Sequence, residues 1–384
     1  MEFKIDYNHD NTINLIASIS NAIWDKKSVH PELGILSSQY LEKFDNIVLF
    51  VLDWLAYSFI EKNFSHLFDF YNHHIIHPVF PSATTPALTA IATWKTPQEH
   101  WLLSRYTFFK EIWVVTAVLP FCTRSWTPLA GKVDCTYFFD TPSIYESSLR
   151  KNYIFNRDYL INSDYSKAFA KNATRVWCAN FSDLCWKLSD TILSSKDKKY
   201  CYCYDPQFDW LCHEFWINSG NTKEYADYLF SVLKDLSEKL KWSNSVIIIT
   251  ADHGMIDSTA ERNLKVEDYP ELESMLSMPT SWEGRVVFCY VKAERRENFE
   301  KWIKENFNDY CDCYKSSELL EKGRFWCWEI HKWFGDRLGD YALVMKENYI
   351  LLDSVLGQKR EVIIWNHWWV SKDENEILLL WKEL

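Results

Sequence analysis

Val246–Met255, VIIITADHGM, constrains this chain more than any other stretch. Its unbroken apolar and β-branched run reads as a strand buried on both faces, the pattern of a parallel sheet covered by helices. The run passes directly into Asp252 and His253, two side chains able to ligate a metal, and then into Gly254. In an open α/β sheet, ligands bind beyond the carboxyl ends of the strands. A carboxylate and an imidazole at such an end stand where chemistry is usually done. By itself the tripeptide also fits a helix cap followed by a surface histidine.

Other stretches repeat the pattern. Asn46–Leu52, NIVLFVL, is a second buried-strand run, and it ends on Asp53. Phe80–Thr93, FPSATTPALTAIAT, reads as a short strand ending at Pro81 and then a helix with Pro86 as its first residue. Thr84 and Thr85 fall at the expected N-cap, where outward N–H groups attract an anion. A hydroxyl there is placed to attack phosphorus, although a plain threonine cap would look the same. Lys199–Phe208 reads as a strand leading into Asp209-Trp210-Leu211-Cys212-His213. The i, i+4 spacing lets Asp209 and His213 share one cation from a helical turn.

Spacing predicts helices over 8–24, 55–63 and 222–242 and a strand over 111–119. Residues 255–345 leave the βα rhythm, with strands at 285–291 and 340–345 around a helix at 296–307. They read as a smaller inserted α+β subdomain, and 1–254 plus 346–384 read as the catalytic core. Val362–Ile364 reads as the last core strand, ending at Asn366-His367. The expected fold is α/β, a three-layer α/β/α sandwich around a mainly parallel sheet. His73, His74 and His77 lie close together but match neither a strand face nor a helix face, and read as structural.

A chain of 384 residues can bury a large core. Its net charge of −11 argues against a general nucleic-acid-binding surface. That charge does not conflict with a small phosphorylated substrate held by metal ions. Residues 1–20 lack a basic segment followed by an apolar core, and no apolar run approaches transmembrane length. No membrane association is expected. The 11 Cys show no framework spacing and fit reduced thiols in the cytoplasm. Oligomeric state leaves no mark on the sequence.

Apolar runs thus lead into Asp53, Thr84, Asp209/His213, Asp252/His253 and His367. This oxygen and nitrogen donor mix suits zinc or a similar divalent pair. The order D…FPxxT…DxxxH…ADHG…H resembles the alkaline phosphatase superfamily, and most of all its type I phosphodiesterase/nucleotide pyrophosphatase branch. The resemblance runs from about Asn46 onward. It implies two divalent ions, zinc, one held by Asp209, His213 and His367. Asp53, Asp252, His253 and the Thr84 oxygen would hold the other. It further implies Thr84 as nucleophile, a phospho-threonine intermediate, and phosphodiester or nucleotide pyrophosphate substrates. The alternatives are a phosphomonoesterase of the same superfamily and a non-catalytic binder of a phosphorylated ligand. A sulfatase needs a modified Cys or Ser as nucleophile and a phosphoglycerate mutase a Ser, so Thr84 argues against both. The branch holds a phosphoryl oxygen with an Asn shortly after the nucleophile, where this chain has Pro86, Ala87 and Leu88.

Glycine is scarce. The chain has 9 Gly and 20 Trp, whereas Gly alone usually makes up about 7% of residues. Trp54 follows the first ligand Asp, Trp94 and Trp101 flank TPQEH, and Trp368-Trp369 follow the last ligand His. Members of the resembled family read LDG, TG, EHG and HGG there. Adjacent indoles would crowd a metal-binding His, whereas Gly permits a positive-φ turn and close backbone approach. The expectation is that many of these Trp stand for Gly, through UGA codons that the source reads as Gly. A divergent, inactive homologue is the alternative, but drift would not select glycine positions.

Overall fold

The computed structural model describes residues 7–25, 27–282, 284–325, 329–355, 365–366 and 372–384. The main sheet has seven strands: β1 (Asn46–Leu52), β2 (Asn72–Ile76), β3 (Lys151–Arg157), β4 (Thr174–Cys178), β5 (Lys199–Asp205), β6 (Ser245–Thr250) and β7 (Ile377–Glu383). Their spatial order is β2-β7-β6-β1-β5-β3-β4. β1 runs parallel to β5 and β6, and β3 runs parallel to β4 and β5. Only β7 runs against its neighbours, β6 and β2. β1, β5 and β6 are buried at every position, which is why they read as continuous rather than alternating apolar runs. Leu52 pairs with Asp205 and Val51 with Thr250, so the three central strands end level with one another. Whatever follows them emerges at one edge.

Helices pack in separate groups along the sheet. Thr12–Ile23 contacts Thr84–Thr93, and Gly220–Lys239 contacts Phe181–Leu193 and Gln207–Phe215. None of the described helices is long and apolar enough to cross a membrane.

A second, antiparallel seven-stranded sheet lies beside the first. Ser281–Trp282, Val286–Cys289, Cys311–Lys315 and Tyr341–Met345 supply four of its strands. Tyr106–Phe109, Val114–Ala117 and Cys122–Thr123 supply the rest. The second sheet thus joins three strands from 106–123 to four from within 281–345. Pairing between segments so distant in sequence leaves no local signal. The last described strand of the main sheet is Ile377–Glu383, and Val362–Ile364, where the sequence reads a core strand, lies outside the described residues. Asn366 instead pairs with Ile256 in a short antiparallel ribbon.

The segment before β7 is clamped to both sheets. Arg285 and Glu374, both fully buried, form an ion pair at 3.0 Å. The Gly254 N–H donates to the Glu374 carbonyl at 3.1 Å, and a Cβ on Gly254 would collide with the Asp373 carbonyl oxygen. This glycine of the ADHG stretch is required by close backbone approach.

Twelve described non-glycine residues have positive φ, and seven of them are tryptophans: Trp54, Trp94, Trp101, Trp113, Trp126, Trp216 and Trp242.

Candidate active site

The level strand ends assemble the site. Asp53 directly follows β1, and Asp252 and His253 follow β6 within two or three residues. Asp209 and His213 lie on the helix Gln207–Phe215, which opens just after β5. Thr84 is the first residue of the helix Thr84–Thr93. These side chains come from separate segments of the chain, yet Asp53, Thr84, Asp209 and His213 line one cavity of about 750 Å³.

Local sequence explains how each is held. The Trp54 and His253 backbone N–H groups donate to Asp252 Oδ1 at 3.2 and 3.1 Å, and the Tyr204 hydroxyl donates to Asp53 Oδ2. His253 Nδ1 sits 3.1 Å from the Gly254 carbonyl. That contact makes Nδ1 a donor and directs Nε2 into the cluster. Nε2 is 3.1 Å from Thr84 Oγ1, 3.3 Å from Asp53 Oδ1 and 3.5 Å from Asp252 Oδ2. On the other flank, Asp209 Oδ2 and His213 Nε2 are 2.6 Å apart across one helical turn, as their i, i+4 spacing predicts.

Thr84 differs from the sequence expectation in one respect. Ala83 is the N-cap, and Thr84, Thr85 and Pro86 are the first three helical residues. Pro86 is therefore third and not first. The shift has a chemical consequence. A capping hydroxyl would be tied to the helix's own N–H groups, whereas Thr84 Oγ1 is turned to His253. With no side-chain cap, the first-turn N–H groups remain available to an anion.

TPQEH has a structural role. Glu99 accepts from Thr96 N–H and Oγ1 at 2.8 and 2.9 Å. The fully buried His100 places Nε2 3.1 Å from the Pro86 carbonyl, bracing the Thr84 helix. His74 pairs with Asp10 at 3.0 Å and His77 Nδ1 meets the Asn375 carbonyl at 2.7 Å, so this histidine group is structural too.

The electrostatics call for cations. Burial, then the charges of Asp252 and Asp209, push the Asp53 carboxyl well above the usual range, with His253 opposing. Burial also raises Asp252. Burial works against a charged His253, but Asp252, Asp53 and Asp209 together bring its imidazole up to about 10. Burial favours a neutral Asp209, but the neighbouring His213 outweighs it and holds the carboxyl below its usual value. Burial pushes His213 down.

The donor atoms of Asp53, Asp252 and His253 all lie within 4.8 Å of one another. Asp53 Oδ1, Asp209 Oδ1 and Asp252 Oδ2 are buried and accept no protein hydrogen bond of good geometry. Buried carboxylate oxygens in that state fit a divalent ion. The structure brings together Asp53, Thr84, Asp252 and His253, with Asp209 and His213 in the same cavity. The seventh expected ligand, His367, lies outside the described residues.

The profile of the type I phosphodiesterase/nucleotide pyrophosphatase family matches residues 47–369. The chain belongs to this family. Its members are metal-dependent hydrolases of the alkaline phosphatase superfamily. Among solved structures, the chain is similar to murine ectonucleotide pyrophosphatase/phosphodiesterase 5, with TM-score 0.68, 14% identity and 87% of each chain covered. The human protein of that name matches with TM-score 0.68, 15% identity and the same coverage of both chains. An inactive form of the murine protein in complex with AMP also matches, at TM-score 0.68 and 14% identity over 87% of each chain. Comparison with curated protein sequences finds no match.

Sequence reasoning missed Tyr204 and Arg105. Tyr204 hides inside a buried strand, and Arg105 precedes a strand of the second sheet. Neither carries a motif, and only the fold brings them to the cavity.

Proposed function

We propose that this protein hydrolyses phosphodiester or nucleotide pyrophosphate bonds, with Thr84 as nucleophile, a phospho-threonine intermediate and two zinc ions. The observation that carries the reading is Thr84 Oγ1 at 3.1 Å from His253 Nε2, within the buried Asp53/Asp252/His253 cluster. Those three residues and Thr84 would hold one ion, and Asp209, His213 and His367 the other. When bound, the ions supply positive charge that favours the Thr84 alkoxide and offsets charge on the leaving oxygen.

The chain's own groups do the rest. Thr84 Oγ forms a bond to phosphorus while the bond to the leaving oxygen breaks, its electron pair going to that oxygen. Water then attacks phosphorus, the Oγ–P bond breaks, and Thr84 is regenerated. The uncapped helix start donates N–H groups towards the phosphoryl oxygens. The AMP complex of the murine relative supports a nucleotide as ligand. We further propose a cytoplasmic location, a reading supported by the odd number of Cys, 11, without framework spacing in the sequence.

The test is zinc-dependent hydrolysis of bis-p-nitrophenyl phosphate beside p-nitrophenyl phosphate. Thr84→Ala should lower diester kcat/KM by at least about 10³-fold, as loss of a nucleophile does. Full activity in that variant refutes the nucleophile. Monoester preference moves the protein towards the phosphatases, and no turnover with metal bound leaves a phosphate-binding protein.

A further inference from the structure

Among the described residues, Arg105 is the one Lys or Arg lining the cavity that contains Asp53, Thr84, Asp209 and His213. Its backbone is fixed where the second sheet meets the site, with the Val118 N–H donating to its carbonyl at 2.9 Å. Its side chain is exposed, with the guanidinium 5.4 Å from the Tyr106 ring centre. Asp209 and His213 line the same cavity as Arg105. A planar fork of donors suits two phosphate oxygens, a geometry a lysine cannot match. In a chain of net charge −11, a polyphosphate gains from such a cation.

We infer that Arg105 is a specificity-determining residue that contacts a phosphate-bearing leaving group and so favours phosphoanhydrides over simple diesters. This rests on the hydrolase reading above. In the reaction concerned, Thr84 bonds to the α-phosphorus of a nucleoside triphosphate. The bridging oxygen leaves with its electron pair as part of pyrophosphate, which Arg105 holds.

The test compares kcat/KM for ATP and for bis-p-nitrophenyl phosphate in the zinc-loaded protein and in Arg105→Asn and Arg105→Lys. In Arg105→Asn the ATP-to-diester ratio should fall by about 10- to 100-fold, the effect of one charge-assisted contact. Arg105→Lys should recover part of it, and the loss should fall on KM for ATP. A ratio that stays within about twofold in Arg105→Asn overturns the inference while leaving the hydrolase reading intact. An unaltered protein that turns over neither substrate overturns both.

A separate observation carries a second inference. Seven tryptophans hold φ between 52° and 77°, the left-handed region where a bulky L-residue is an outlier and glycine is at ease. Trp94, Trp101 and Trp216 occupy the position just past the ends of helices Thr84–Thr93, Pro97–His100 and Gln207–Phe215, where glycine commonly ends a helix. Trp54 follows the ligand Asp53 with φ 66°. Burial cannot be the common reason, since Trp113, Trp126, Trp216 and Trp242 are exposed. The three described positions expected from sequence to stand for glycine, Trp54, Trp94 and Trp101, are all among the seven.

The geometry points to glycine at these seven positions in the protein as its source makes it, through UGA codons read as Gly. The test is the coding sequence together with peptide mass mapping of the protein from its source. UGA codons and peptide masses with glycine at positions 94, 101 and 216 are expected. UGG codons, or peptide masses with tryptophan there, overturn the inference.

Discussion

Replacing Trp113, Trp126, Trp216 and Trp242 by Gly should stabilise the chain as written. These indoles are 70%, 55%, 45% and 87% exposed, so truncation forfeits little burial, and Trp113 retains one edge contact to Phe108 at 5.5 Å. Each holds a left-handed backbone, with φ of 58°, 63°, 77° and 73°, which costs an L-residue about 1–2 kcal/mol. Glycine removes that strain but returns up to about 1 kcal/mol through its freer unfolded chain. The net gain is about 0.5–1 kcal/mol per site, or roughly 2–4 kcal/mol if the sites add. Thermal unfolding of the four-site variant should then shift upward by about 2–5 °C. Trp186→Gly is the control. It is exposed too, but lies inside the helix Phe181–Leu193, so it should lose about 0.5 kcal/mol. A four-site variant that melts at or below the parent refutes the strain argument.

Two further outcomes follow from the site and its clamp. In metal-free protein the His253 imidazole titrates at about 10, above its ordinary value of about 6.5. A raised folded value means that its stabilisation is complete below about pH 6.5 and is lost as pH rises towards about 10. Melting temperature with chelator present should decline across that window. Added zinc, which needs Nε2 deprotonated, should remove His253's share of the decline. A flat chelated profile refutes the assignment. Glu374→Ala should cost about 3–5 kcal/mol, because it strands the fully buried Arg285. An apolar pair, Arg285→Met with Glu374→Leu, should recover much of that, as read by urea denaturation.

Much of the catalytic half is legible in the sequence because its signals are local. A strand buried on both faces must be apolar throughout, and the residue after it must lie at the ligand edge of a parallel sheet. That reasoning reaches Asp53, Asp252 and His253 from NIVLFVL and VIIIT alone, and helical periodicity reaches Asp209 with His213. Even the misfit of Trp54, Trp94 and Trp101 is visible, because a family's glycine positions carry a backbone demand that a tryptophan cannot hide. Tertiary structure alone decided three other matters. Strands at 106–123 join those at 281–345, and β7 enters against its neighbours, because ladder hydrogen bonds form between segments whose sequences do not encode their partners. The Thr84 hydroxyl is freed from capping because Ala83 takes the N-cap and the helix begins at Thr84, a one-residue difference that the local sequence does not encode. Arg105 reaches the cavity only because the second sheet carries its strand there. A side chain's chemistry belongs to its sequence, but its neighbours are set by long-range packing.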